Sequence, residues 1–172
     1  MVIKMEIIKI DTASELMEAL RITKNPVIIL GEDCEIPGDA YKYSYMNGGK
    51  TIEIGMIVEE GYEKPELIVK NDIIVIGIND EVAIIQNDKL QSIIQKDSVF
   101  FEFIDISGCS SDFIAVFETV IIRFSLEGQI KWEYYPDDII TDVSLNGGEE
   151  KIVVSHFEGS NILLSLTTGE VL

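Results

Sequence analysis

Along most of this chain apolar and polar residues alternate with the period of two expected of a strand with one buried face. Val120, Ile122, Phe124 and Leu126 fall on one side of such a strand, and Thr119, Ile121, Arg123 and Ser125 on the other. One stretch has helical spacing instead. Thr12-Ala13-Ser14-Glu15 has the form of a capping box, and Ala13, Leu16, Met17 and Leu20 share one face ahead of Pro26. This predicts a helix over 12–23, packed on a sheet. Two alternating runs, Ala40–Met46 and Thr51–Val58, flank Asn47-Gly48-Gly49, a strong turn signal, and predict a hairpin.

The last hundred residues repeat. Three segments share the order apolar strand, polar turn, alternating strand, polar turn, third strand. They start at Ile73, Phe113 and Ile152. With Val82, Val120 and Ile162 taken as equivalent, the spacings are 38 and 42 residues, about the chain length of one four-stranded propeller blade. In the second unit, Val120–Leu126 is followed by Glu127-Gly128 and then Gln129-Ile130-Lys131-Trp132. Ser165-Leu166-Thr167-Thr168-Gly169-Glu170-Val171-Leu172 repeats that hairpin. This pattern resembles the repeat of quinoprotein-like (PQQ-like) β-propellers over about residues 65–172. The resemblance implies that Gly128 and Gly169 supply a positive φ and that Trp132 packs between blades. The first unit departs from it, with Asp88 and Lys89 where a glycine is expected.

The fold expected is mainly β: stacked antiparallel sheets of incomplete propeller-like repeats, with a small N-terminal α+β segment. The polar stretch Glu59–Pro65 reads as a linker, dividing residues 1–63 (strand, helix, strand, hairpin) from a body of about three blade-like units over 64–172. Such units can form an open fan, a sandwich, or a ring closed by dimerisation. Sheets stacked face to face are favoured, with the helix over an edge or an end.

Composition agrees. Among 172 residues there are 30 Ile and 13 Val against five Ala, a bias towards strand. Lys plus Arg is 13 and Asp plus Glu is 31, a formal charge of −18. That argues against binding a nucleic-acid backbone. No apolar run approaches the ~20 residues of a membrane span, and Met1–Glu6 does not read as a signal peptide. Cys34 and Cys109 form no C-x-x-C pair and suit a reducing cytoplasm.

Catalytic chemistry is hard to find. Asn47-Gly48-Gly49-Lys50-Thr51 ends like a phosphate loop, but Ser44 stands where the first glycine belongs and a strand follows. His156 is the single histidine, which makes a catalytic triad or a His-ligated metal improbable and favours a surface or edge-strand position. Glu32, Asp33 and Glu35 around Cys34 should raise its thiol pKa, the wrong field for a nucleophile; Cys109 reads as a small loop residue. The carboxylate pairs Glu59-Glu60, Asp137-Asp138 and Glu149-Glu150 lack calcium-loop spacing and read as solvated faces. No catalytic residue, metal ligand or cofactor is assigned.

Two features fit binding. Tyr41, Tyr43 and Tyr45 line one face of a strand, either as a ladder packed on Ile52, Ile54 or Met56 or as a contact stripe. Glu133, Tyr134, Tyr135, Asp137 and Asp138 combine aromatic and acidic groups, with the two tyrosines on opposite faces; this is a polar loop or a clamp for a basic partner. Three functions are carried forward. The first is a non-catalytic acidic module that binds a basic protein, for example an immunity or antitoxin protein. The second is a structural or regulatory β-repeat protein that self-associates, and the third a hydrolase acting through carboxylates.

Overall fold

The computed structural model of the protein describes residues 6–70, 72–104, 106, 112–146 and 150–172. Four sheets follow one another along the chain. The first contains β1 (Glu6–Ile10), β2 (Val27–Leu30), β3 (Pro37–Asn47) and β4 (Lys50–Glu59), in the order β1-β3-β4-β2. The second is the meander β5 (Glu66–Lys70), β6 (Ile73–Ile78), β7 (Glu81–Gln86) and β8 (Lys89–Gln95). The third repeats it with β9 (Phe100–Ile104), β10 (Asp112–Phe117), β11 (Val120–Ser125) and β12 (Ile130–Tyr134). The fourth has β13 (Ile140–Leu145), β14 (Lys151–His156) and β15 (Asn161–Ser165). Val82, Val120 and Ile162 lie on β7, β11 and β15, the third strand of each repeat, as the spacing predicts.

The sheets stack in sequence order through three apolar layers. Ile52, Ile54 and Met56 of the first sheet meet Ile74, Ile76 and Ile85 of the second. Val75, Val82 and Ile84 on the second sheet's other face meet Phe103, Phe113 and Phe124 of the third. Ile114, Ile121 and Trp132 then meet Ile140, Val154 and Leu164 of the fourth. The two middle sheets are thus covered on both faces, which is why all of β6 and β10 is buried. Alternation on β11 resolves as expected: Val120, Ile122, Phe124 and Leu126 face the second sheet, and Ile121 the fourth.

One helix, α1 (Ala13–Ile22), closes the first end of the stack. Thr12 Oγ1 accepts a hydrogen bond from the Glu15 amide at 3.1 Å. Leu16 and Leu20 pack on Ala40 and Ile57, the face of the first sheet turned away from the stack. Among the described residues no helix is long and apolar enough to cross a membrane.

Backbone detail explains two departures from the repeat. Where the first unit lacks its glycine, Asn87 and Asp88 adopt φ of 52° and 64°, the left-handed conformation Asn and Asp tolerate best among side-chain-bearing residues. The expected last strand, Gly169–Leu172, contracts to a single bridge between Val171 and Leu164. Gly169, at φ 72°, lets the chain lie on the indole of Trp132, where a Cβ would come within 2.7 Å of the ring. The Trp132 Nε1–H donates to the Leu166 carbonyl at 3.1 Å, so this ring does bridge the third and fourth sheets. Cys109 and Glu149 lie outside the described residues.

Candidate partner-binding site

The tyrosines of β3 turn into the stack. Cross-strand register sets Tyr41, Tyr43 and Tyr45 opposite Met56, Ile54 and Ile52. Tyr43 is fully buried and Tyr45 is 7% exposed. Their rings lie 6.0 Å apart. Tyr45 donates to Asp88 of the second sheet at 3.2 Å, and burial together with that carboxylate pushes its pKa well above the usual range. Of the contact-stripe reading, only Tyr41 stays accessible. Its hydroxyl donates to Asp39 at 3.3 Å.

The 133–138 segment divides. Glu133 and the exposed Tyr135 turn towards the second sheet: Glu133 pairs with Lys96 and accepts from the Tyr135 hydroxyl at 2.9 Å. That contact with Lys96 holds the Glu133 carboxyl below its ordinary pKa. Tyr134, Asp137 and Asp138 turn towards the fourth sheet and line a pocket of about 300 Å³ with His156, Glu158, Ser160 and Ile162. Asp138 accepts from the Ile139 amide at 2.7 Å and the Glu158 amide at 2.9 Å, tying its loop to the next hairpin. His156, expected on a surface or edge, is 7% exposed on the central strand of the fourth sheet.

A larger acidic feature escaped the sequence reading. The last three sheets are meanders, so their β6–β7, β8–β9, β10–β11, β12–β13 and β14–β15 connections emerge at one rim, where the first sheet adds the β1–α1, β2–β3 and β4–β5 connections. Backbone bonds stitch these loops together. The Phe100 amide donates to Asn79 O at 2.6 Å, the Ile140 amide to Glu118 O at 2.8 Å, and the Phe157 amide to Ile139 O at 2.9 Å. The buried Asn79 side chain joins the first sheet to this rim, accepting from the Glu59 amide at 2.9 Å and donating to Ile57 O at 3.1 Å. In these connections stand Asp11, Glu32, Asp33, Glu35, Glu60, Glu63, Asp80, Asp97, Glu118, Asp137, Asp138 and Glu158, against two basic residues, Lys64 and Lys96.

Five carboxyl groups gather where the first two sheets meet. Asp33, Glu35, Glu59, Asp80 and Glu81 line a groove of about 350 Å³. Burial, reinforced by Asp80 and Asp33, pushes the Glu81 carboxyl up to about 7. Cys34 lies in the same groove. Its thiol is raised first by burial, then by Glu59 and Asp33, so the expected direction holds while desolvation is the larger cause. The sequence reading took the pair Glu59-Glu60 as a solvated face, and nothing local shows that Glu59 converges with Asp33, Glu35, Asp80 and Glu81.

The buried charge of the body is structural. Asp112, 2% exposed, accepts from Arg123 Nε at 2.8 Å and contacts Lys131 Nζ at 2.6 Å. Arg123 in turn donates to the Leu166 carbonyl at 2.7 Å. Among the described residues no group of three or more His, Cys, Asp or Glu is arranged to hold a metal ion.

No known family's sequence profile matches the chain, and no curated protein matches it. Solved structures do. The chain is similar to the computationally designed protein Ika4, with a TM-score of 0.50 and 12% identity over 84% of this chain and 99% of that one. It is similar to the AfRom2 CNH domain, with a TM-score of 0.50 and 7% identity over 81% of this chain and 48% of that one. It also matches BBS1N from a complex with ARL6DN, with a TM-score of 0.47 and 14% identity over 74% of this chain and 47% of that one. The chain therefore spans about half the length of the last two. At these identities the likeness to the first two shows the fold alone, and the successive stacked antiparallel sheets are β-propeller-like.

Proposed function

We propose that the protein is a non-catalytic, cytoplasmic binding module whose acidic rim captures a basic protein. An immunity or antitoxin protein that covers the cationic face of a toxin is the concrete form. The observation that carries this reading is the rim itself, where connections from all four sheets bring a dozen carboxylates to one side against two bases, Lys64 and Lys96. Like charges gathered on one side steer an oppositely charged partner and speed its association. Backbone bonds between the loops support it further, since a preformed surface loses less entropy on binding. Within this reading, the turn at Gly128 and the stacked Trp132 are features of a quinoprotein-type blade hairpin that serve as scaffold, with no cofactor.

The test is capture of partners from source-cell lysate at low salt and at ~0.5 M salt, where the Debye length falls well below 10 Å. The expected result is a basic protein retained at low salt and released at high salt. Capture that ignores salt, or of acidic proteins alone, contradicts the proposal.

A further inference from the structure

The two ends of the stack are finished differently. At the first end α1 covers the outer face of the first sheet. At the other, the outer face of the fourth sheet stays accessible. Ile140, Val143, Ile152, Val154 and Leu164 point into the stack, so the residues that alternate with them point out. Those include Lys151 and Val153 on β14, Leu163 opposite Val153 on β15, and Asp142 on β13 opposite Ser155. The apolar row continues past the strand ends. The Phe157 amide donates to Ile139 O at 2.9 Å, which keeps this pair on the outer face, and the Leu172 amide donates to Leu163 O at 2.9 Å. Phe157 is 75% exposed, Leu172 64%, Ile139 47% and Leu163 38%. Apolar side chains gathered on one open sheet face mark an interaction surface.

Its charge says what fits there. In a chain of 31 acids and 13 bases, the outward strand positions of this sheet hold one of each, Lys151 at one end and Asp142 at the other. Such a face offers a basic protein little and matches a copy of itself. We infer that it seats a second copy of this chain, packed sheet on sheet about a two-fold axis running across the strands. That axis lays Val153 and Leu163 over their counterparts and reverses the strand direction. Lys151 of each copy then lies towards Asp142 of the other, so the charge contact is made twice. The same reversal sends the two acidic rims to opposite ends of the pair, where their repulsion is least. An axis along the strands would instead set the rims side by side and Lys151 against Lys151. The dimer is independent of what the rim binds.

The test is sedimentation equilibrium of the full chain from about 1 μM to about 100 μM. The expected result is a reversible monomer–dimer equilibrium. Lys151→Glu and Asp142→Lys should each weaken association at least about tenfold, because each sets like charges together at both contacts. An equimolar mixture of the two variants should recover the dimer, since a mixed pair brings opposite charges together at both. Recovery also shows that both variants fold. Where a charge variant loses its far-UV strand spectrum, the exposed-site change Leu163→Arg decides: it should abolish the dimer. A chain that stays monomeric at about 100 μM, or that grows beyond a dimer, overturns the assignment. So do folded single variants that associate as well as the parent, a mixture of folded variants that stays monomeric, or a dimer that survives Leu163→Arg.

Discussion

Two carboxylates on this protein respond to pH in opposite directions. The Glu81 carboxyl stands at about 7 in the folded chain, against 4.5 for the free group. The folded state therefore holds the proton more tightly between those values, and stability falls as pH rises from about 4.5 to about 7. Glu81→Gln should flatten that slope and stabilise the chain at pH 8 by on the order of 1–2 kcal/mol, allowing for solvent screening. Urea unfolding at pH 5 and pH 8 reads this; an unchanged difference between the two would count against a buried, protonated Glu81. For Asp112, burial raises the pKa, but hydrogen bonds and charge from Lys131 and Arg123 outweigh it and leave the carboxyl below its ordinary range. Its contribution is present above about pH 4 and is lost as pH falls through the folded value. Asp112→Asn should cost about 3 kcal/mol or more at pH 7, because two cations then lose their shared anion. A loss under about 1 kcal/mol in urea unfolding would contradict that role. Neither residue could be singled out from the sequence. Among 31 acids, burial is decided by contacts such as Arg123 and Lys131 on neighbouring strands, which local pattern does not encode.

At the scale of elements the sequence is far more legible. Thr12 and Pro26 bracket the helix because capping and the loss of an amide are local effects. The β3–β4 hairpin follows from Asn47-Gly48-Gly49, with φ of 56° and 80° at the two glycines. The repeats were visible because each blade solves the same packing problem with the same strand order. Harder to see were the edge strands β5, β9 and β13, which precede each recognised triplet and carry little alternation of their own. Burial of Tyr43 and Tyr45 was equally hidden, since a period of two identifies a face without saying what covers it. The junction of the second and third sheets offers a test. Gly77 on β6 admits the Phe100 ring, and a Cβ there would lie 2.1 Å from the ring's Cζ. Gly77→Ala should destabilise by about 1–3 kcal/mol through overpacking. Adding Phe100→Leu should recover part of that loss, and strictly additive losses in the double variant would show that the two residues do not compete for space.

At the scale of the molecule, the net charge of −18 is generic until the fold distributes it. The strand order does so by sending connections of all four sheets to one rim, so that acids far apart in sequence become neighbours. A partner that responds only to total charge would treat any three acids alike, whereas one that docks on the rim would not. Capture of the basic partner should therefore be compared in two variants that remove equal charge: Asp33→Asn, Asp80→Asn, Asp137→Asn on the rim, and Glu15→Gln, Glu18→Gln, Glu170→Gln elsewhere on the exposed surface. Because three charges are removed in each, screening and solubility effects match. The account predicts that the rim variant loses most of its capture at near-physiological salt while the control keeps it; equal loss in both, or loss in the control alone, would contradict it.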